Sequence, residues 1–162
     1  MIKSGGSFLY NGARCTIGAV VFLKGLPYMV TVSHIFRGEG DFLTADGMKL
    51  TVTRILKDYD LALVRLPPDS KVKITEFGAS AQLEQAEMVN DVHTLQCRVV
   101  NSGASLVYLA FRRFDMPEPG DSGSPILQGG KVIGLISSVT LNNCMGTAIS
   151  SNILLSLEKL LK

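Results

Sequence analysis

The stretch Gly120-Asp121-Ser122-Gly123-Ser124-Pro125 decides how the rest of the chain is read. An acid, a hydroxyl and two glycines are packed into a turn ahead of the apolar pair Ile126-Leu127. Glycines flanking one serine let the backbone take tight or positive-φ conformations, so the Ser122 hydroxyl stands clear and successive N–H groups point into one small concavity. That is the geometry of a nucleophile beside an oxyanion hole. A serine hydroxyl is a weak nucleophile until a neighbouring base takes its proton, so the turn predicts a histidine and an orienting carboxylate elsewhere. The chain has two histidines to offer, His34 and His93.

His34 follows Thr31-Val32-Ser33, where an apolar run ends. Asp60 opens the run Leu61-Ala62-Leu63-Val64 and is the matching carboxylate. Taken singly, each has a bland reading: a satisfied buried histidine, a turn aspartate, a serine in cheap loop sequence. Taken together they supply all three residue types of an acyl-transfer triad in the order His, Asp, Ser, one of the orders known for this geometry, each where a strand meets a loop. His93 lies in a stretch without a motif and is read as structural.

The surrounding chain reads as β-structure. Residues 1–14, rich in Gly and Ser, are expected to form a loosely held arm with one short strand. Residues 16–23 and 28–32 form a hairpin about Lys24-Gly25, and Asp46-Gly47 marks a turn between 42–44 and 50–56. A further strand covers 61–66. Pro67-Pro68-Asp69-Ser70-Lys71 stops it and serves as a connector, dividing the chain into units 1–70 and 71–162. In the second unit 71–87 carries no clear signal, 92–100 and 105–114 bracket a turn at 101–103, and 115–121 is a loop. Gly129-Gly130 joins 125–127 to 131–136. The period then changes: Ile153, Leu154, Leu157, Leu160 and Leu161 recur at helical spacing after the capping candidates Ser150 and Ser151. Short strands with frequent turn signals are the pattern of sandwiches and barrels.

Composition narrows the function classes. With 162 residues and 46% hydrophobic content the chain can bury a core without staples. Sixteen basic against fourteen acidic residues leave a net charge of +2, and no basic run is interleaved with aromatics, which argues against nucleic acid as a partner. No apolar stretch approaches membrane-spanning length, and residues 1–6 lack the apolar core of a signal peptide. Cys15, Cys97 and Cys144 are odd in number and far apart, unlike a disulfide framework or a metal-ligand cluster. They are read as buried small hydrophobes in a reduced, cytoplasmic setting; a domain excised from a larger polyprotein would look the same. No metal or cofactor is expected.

Thr31-Val32-Ser33-His34, Asp60-Leu61-Ala62-Leu63 and Gly120-Asp121-Ser122-Gly123-Ser124-Pro125 together resemble the three signature segments of the chymotrypsin-like serine proteases. Val132-Ile133-Gly134-Leu135-Ile136-Ser137 resembles that family's cleft-lining strand, and Gly146-Thr147-Ala148-Ile149 followed by a helix resembles its ending. The likeness covers roughly 15–161. In its compactness, its missing disulfides and the closing Gly146-Thr147-Ala148-Ile149-Ser150-Ser151-Asn152 segment the chain resembles HtrA-type bacterial and small viral processing proteases more than secreted digestive enzymes.

The resemblance implies an all-β fold of two antiparallel six-stranded barrels with a C-terminal α-helix and the active site between them. It implies a serine endopeptidase acting on a polypeptide: His34 as general base, Asp60 orienting it, Ser122 as nucleophile, and the N–H groups of Gly120 and Ser122 as oxyanion hole. Met116, six residues before the nucleophile, would form the base of the specificity pocket, with Ser137, Ser138 and Val139 as its walls. Asp121 would find local partners among backbone N–H groups, Ser124, Arg112 or Arg113. The rival reading is a catalytically silent module of the same fold that grips an extended peptide by strand addition.

Overall fold

The computed structural model describes all residues, Met1–Lys162, and is built almost wholly from antiparallel strands. In the first half, β1 (Ser7–Tyr10) and β2 (Ala13–Thr16) form a hairpin about Asn11-Gly12, both at positive φ. Next, β3 (Ala19–Leu23) and β4 (Leu26–Val32) turn through Lys24-Gly25, and β5 (Phe42–Ala45) and β6 (Met48–Thr51) turn through Asp46-Gly47. Both of these turns also take positive φ at their two central residues, the type I′ geometry whose twist suits a two-residue hairpin. Strands β7 (Arg54–Leu56) and β8 (Leu61–Arg65) complete this half.

These strands form two four-stranded sheets, β2-β1-β5-β6 and β3-β4-β8-β7. Two runs that read in the sequence as single strands bend from one sheet into the other. At Ile17-Gly18 β2 passes into β3. At Val52-Thr53 the N–H groups turn to Asp41 O and Leu63 O, and β6 passes into β7. Counted through these bends the half has six strands, and the pairings run in a ring around a core of Phe8, Ile17, Met29, Leu43, Val52 and Val64.

The second half is a closed barrel in the order β10-β11-β14-β13-β12-β9. Its strands are β9 (Gln85–Val89), β10 (Thr94–Ser102), β11 (Leu106–Phe111), β12 (Pro125–Gln128), β13 (Lys131–Thr140) and β14 (Met145–Ser150). Alternate residues such as Val107 and Leu109 point inward onto Met88, Val99, Ile126 and Ile133. A third apolar cluster joins the halves: Val30, Val32, Leu61 and Leu63 pack with Leu135 and Ile149, and with Leu154 and Leu157 of the closing helical turns. The catalytic candidates lie along this seam.

One expectation needs correction. Residues 1–14 are not a loose arm. Ile2 is buried, its N–H donates to Lys71 O at 2.9 Å and its carbonyl accepts from Lys73 N at 3.0 Å, so the start of the chain is stitched to the connector. The closing helix is two short turns, α1 (Ser151–Leu155) and α2 (Leu157–Leu160). The Ser150 hydroxyl caps α1 by accepting from Asn152 N, and the break falls at Ser156, whose hydroxyl donates back to Asn152 O at 2.9 Å.

Candidate active site

His34 and Asp60 are brought together from the ends of β4 and the start of β8, which pair directly with Val32 opposite Leu61. Asp60 is the left-handed residue (φ 54°) that ends a single 3-10 turn, a conformation aspartate tolerates better than most side chains. From there its carboxylate reaches back to β4. Oδ1 accepts from Ser33 N (3.1 Å), Ser33 Oγ (3.0 Å) and His34 N (2.9 Å). Oδ2 meets His34 Nδ1 at 2.8 Å and accepts from Ser137 Oγ at 2.7 Å. An ionised carboxylate only accepts, so its bond to Nδ1 requires a proton there and leaves Nε2 of a neutral ring as the free base. The His34 side chain is 48% exposed, open to a substrate.

Ser122 lies on the other side of the seam. The segment around it is pinned at every other amide: Asp121 N donates to Glu118 O, Gly123 N to Ile136 O and Ser124 N to Asp121 O. The N–H groups of Gly120 and Ser122 donate to no protein group. Gly120 (φ 95°) and Gly123 (φ 88°) hold the positive-φ conformations that the sequence demanded. A Cβ on Gly123 would also stand 2.5 Å from Thr31 Oγ1, so this backbone is pressed directly against β4.

Asp121 is fully buried, and its partners differ from those expected. Glu118 N donates to Oδ2 at 2.8 Å, the backbone contact anticipated. Ser124 instead shares a donor with it: Asn90 Nδ2 reaches both Asp121 Oδ1 and Ser124 Oγ at 2.9 Å. The cation at Oδ1 is Arg14, 3.5 Å away on β2, rather than Arg112 or Arg113. His93, read from the sequence as merely structural, places Nε2 3.6 Å from Asp121 Oδ2 and 3.7 Å from Glu118 Oε2. Nothing local in sequence ties residue 14 or 93 to residue 121; barrel closure and the packing of the halves do so.

Two cavities flank the site. One of about 660 Å3 contains Ser122 together with Met116, Ser137, Ser138 and Val139, the four residues expected to shape specificity, and has Phe114 and Leu141 at its edge. The other, of about 890 Å3, lies on the far side of His34 between 33–39 and 55–59. No cluster of His, Cys, Asp and Glu is disposed to hold a metal ion. Cys97 is inert by position: burial, aided by Glu87, pushes its thiol up to about 12. Burial raises Cys15 as well, against the pull of Arg14.

No family model matches the chain, and no curated protein matches it in sequence. Solved structures do. Thermobifida fusca protease A superposes with a TM-score of 0.78 at 18% identity, covering 96% of this chain and 95% of that one. Nocardiopsis protease gives 0.76 at 16% identity, covering 98% and 96%. The serine protease of a human pathogenic astrovirus gives 0.61 at 17% identity, covering 93% and 91%. The fold is therefore that of the chymotrypsin-like serine proteases, with bacterial and viral members among the similar structures.

Proposed function

We propose that the chain is a serine endopeptidase working through His34, Asp60 and Ser122. The observation that carries this reading is the His34–Asp60 contact at 2.8 Å, made by a carboxylate that four further donor contacts hold in place. A merely structural histidine has no need of so fixed a tautomer. Nε2 of His34 takes the Ser122 proton as Oγ attacks a peptide carbonyl, then returns it to the leaving amine, and water repeats the sequence on the acyl-enzyme. Asp60 keeps the proton on Nδ1 and stabilises the imidazolium. The uncommitted N–H groups of Gly120 and Ser122 receive the oxyanion, a contribution of roughly 3 kcal/mol per donor in comparable sites.

In this reading 1–70 supply the base and its carboxylate, 71–162 the nucleophile, the oxyanion donors and the specificity pocket. The substrate is a polypeptide. Three unpaired thiols suit a reducing, cytoplasmic setting or a domain of a polyprotein, and no helix is long and apolar enough to cross a membrane. A fluorophosphonate probe tests the reading: one adduct on Ser122, lost in His34→Ala, is expected, whereas a folded chain that never labels would favour the silent peptide-binding module.

A further inference from the structure

Phe114 and Leu141 are the two most exposed of the large apolar side chains, at 92% and 71%, and both lie at the cavity that contains Ser122. Apolar residues scattered singly over a surface call for no explanation, but the two extremes meeting at one cavity mouth form a patch. Each sits on a tight turn. Residues 112–115 close on themselves through Asp115 N, which donates to Arg112 O at 3.0 Å and leaves Arg113 and Phe114 at the tip. Leu141 opens the turn between β13 and β14, where Met145 N donates to Asn143 Oδ1 at 3.1 Å and Cys144 takes the left-handed conformation (φ 57°). The turns share a root: β11 pairs with β14, and Phe111 N at its end donates to Cys144 O at 2.8 Å. Both tips therefore rise from one hydrogen-bonded base, which spares a ligand much of the cost of ordering them. The Arg113 guanidinium lies over the Phe114 ring, 5.7 Å from its centroid, and steadies it further.

Strand β13 supplies the direction in which a peptide reaches this patch. β12 pairs with it only as far as Leu135, and Ile136 is bonded to the Ser122 segment through Ser124 O and Gly123 N. Beyond that point β14 is the one strand beside it, so an edge is open over 137–140, on the wall of the Ser122 cavity. An extended peptide can add to such an edge. In the antiparallel sense of every strand pairing in this barrel, a peptide with its scissile bond at Ser122 passes Ser137 first and reaches Leu141 toward its own N-terminus. At about 3.3 Å per residue, the distance from 137 to 141 corresponds to about four substrate residues.

We propose that Phe114 and Leu141 form an outer apolar subsite that grips a Leu-, Met- or Phe-like side chain of the polypeptide substrate, about four residues before the cleaved bond. The proposal deepens the serine endopeptidase reading and rests on it for the identity of the occupant. The ring of Phe114 and the isobutyl group of Leu141 shed water when the substrate side chain settles between them. That binding is remote from the reacting carbonyl, so it is open to long substrates and lost to truncated ones. Its selection adds to whatever Met116 and Val139 impose on the residue next to the bond.

The test compares wild type, Phe114→Ser, Leu141→Ser and the double variant by kcat/KM. The substrates are long peptides carrying Leu or Ser at the third, fourth or fifth position before the bond, and a short peptide that begins two residues before it. Wild type is expected to favour Leu over Ser at one of the three positions by on the order of tenfold to a hundredfold. Each single variant weakens that preference, the double variant brings it near unity, and the advantage of long over short peptide falls in parallel. Both side chains stand in solvent, so the variants keep the fold, which unchanged melting verifies. Leu155→Ser, 67% exposed but away from the cavity, is the control and keeps the wild-type preference. A wild type that labels with a fluorophosphonate yet cleaves Leu and Ser peptides alike, or a double variant that keeps the preference, overturns the subsite and leaves the protease reading standing. A chain that never labels, yet binds the long Leu peptide by fluorescence anisotropy and loses that binding in the double variant, removes the protease reading and leaves the subsite standing. Binding to phosphatidylserine vesicles that the double variant abolishes, with the peptide preference intact, overturns the subsite in favour of a lipid surface.

Discussion

Ser137 Oγ lies 2.7 Å from Asp60 Oδ2, a hydrogen bond from β13 of the closed barrel to the carboxylate at the head of β8 in the other half. Ser137 also lines the cavity that holds Ser122, so one side chain registers the half carrying His34 and Asp60 against the half carrying Ser122.

That link separates two kinds of loss. Asp60→Asn keeps the shape but offers an amide to Nδ1, favouring the wrong tautomer, and is expected to cut kcat by roughly four orders of magnitude. Ser137→Ala removes one of five donor contacts and leaves the tautomer intact, for a loss of about tenfold. Steady-state kinetics on a peptide substrate check the ranking. Equal losses in the two variants would deny Asp60 its special role.

Ser122→Ala is expected to abolish peptide cleavage while leaving the melting temperature within a degree or two, since the half-buried hydroxyl makes no hydrogen bond that holds the fold. His34→Ala should be comparably severe because triad members act as a unit. Residual turnover near the wild-type rate in either variant contradicts the assignment.

The three candidate residues stood out because each sits beside its own local signal: an apolar run ending at His34, another starting at Asp60, glycines around Ser122. Hairpins were legible wherever a two-residue turn had its signature, as at Lys24-Gly25 and Gly129-Gly130. Asn11-Gly12 carries the same signal, and its hairpin places Arg14 on β2; reading the first residues as a loose arm hid both. The bends at Ile17-Gly18 and Val52-Thr53 could not be read, because an apolar run looks the same whether straight or folded around a barrel corner. The environment of Asp121 was the least visible. Arg14, Asn90 and His93 lie 107, 31 and 28 residues away from it in the chain and meet there only through tertiary closure.

The environment of Asp121 bears on activation. In trypsin-type enzymes the resembling aspartate is neutralised by a newly cut N-terminal amine. Here Asp121 is served by Arg14, Asn90, His93 and Glu118 N. The full chain is therefore expected to label with a fluorophosphonate without prior proteolysis. Labelling that begins only after N-terminal clipping, followed by intact-mass measurement, would show the opposite.

Gly18, like Gly123, is a point of closest approach across the seam. A Cβ there would stand 2.5 Å from Leu135 Cδ1 and 2.7 Å from Gly123 O, the carbonyl next to the nucleophile. Gly18→Ala therefore forces the halves apart or shifts the Ser122 turn, at a cost of about 1–3 kcal/mol. For a chain of this size that lowers Tm by roughly 2–4 °C per kcal/mol. Gly38→Ala, with nothing within 4 Å of its Cβ, is the control and should melt like wild type. Equal melting of the two variants would mean the seam is looser than the packing indicates.

The cavity at Ser122 bears on which side chain precedes the cleaved bond. Around Ser122 its lining includes Met116, Pro117, Ile136 and Val139, with the exposed Phe114 and Leu141 and two exposed charged side chains, Arg113 and Glu118. The Ser138 hydroxyl is already engaged with Thr147 Oγ1 at 2.6 Å, which lowers its value to a charged side chain. Asp115, one position from Met116, does not line the cavity; the one lining carboxylate, Glu118, is exposed and lies 3.7 Å from His93 Nε2. Glutamate would need a cation: the one lining the cavity is the exposed Arg113, where Glu118 also lines it, and His93 is committed to Asp121 and Glu118. Val139, branched at Cβ, stands at the wall and narrows the entrance against large rings. Cleavage is thus expected after small or medium apolar residues such as Ala, Val, Leu or Met, graded rather than absolute, because one methylene is worth only about 1–3 kcal/mol in such a pocket. Val139→Gly should admit Phe and Tyr, raising their kcat/KM by on the order of tenfold or more relative to Ala. A peptide-library profile dominated by Arg, Lys, Asp or Glu at the cleaved position, or a Val139→Gly variant with unchanged preference, would show that other residues set the choice.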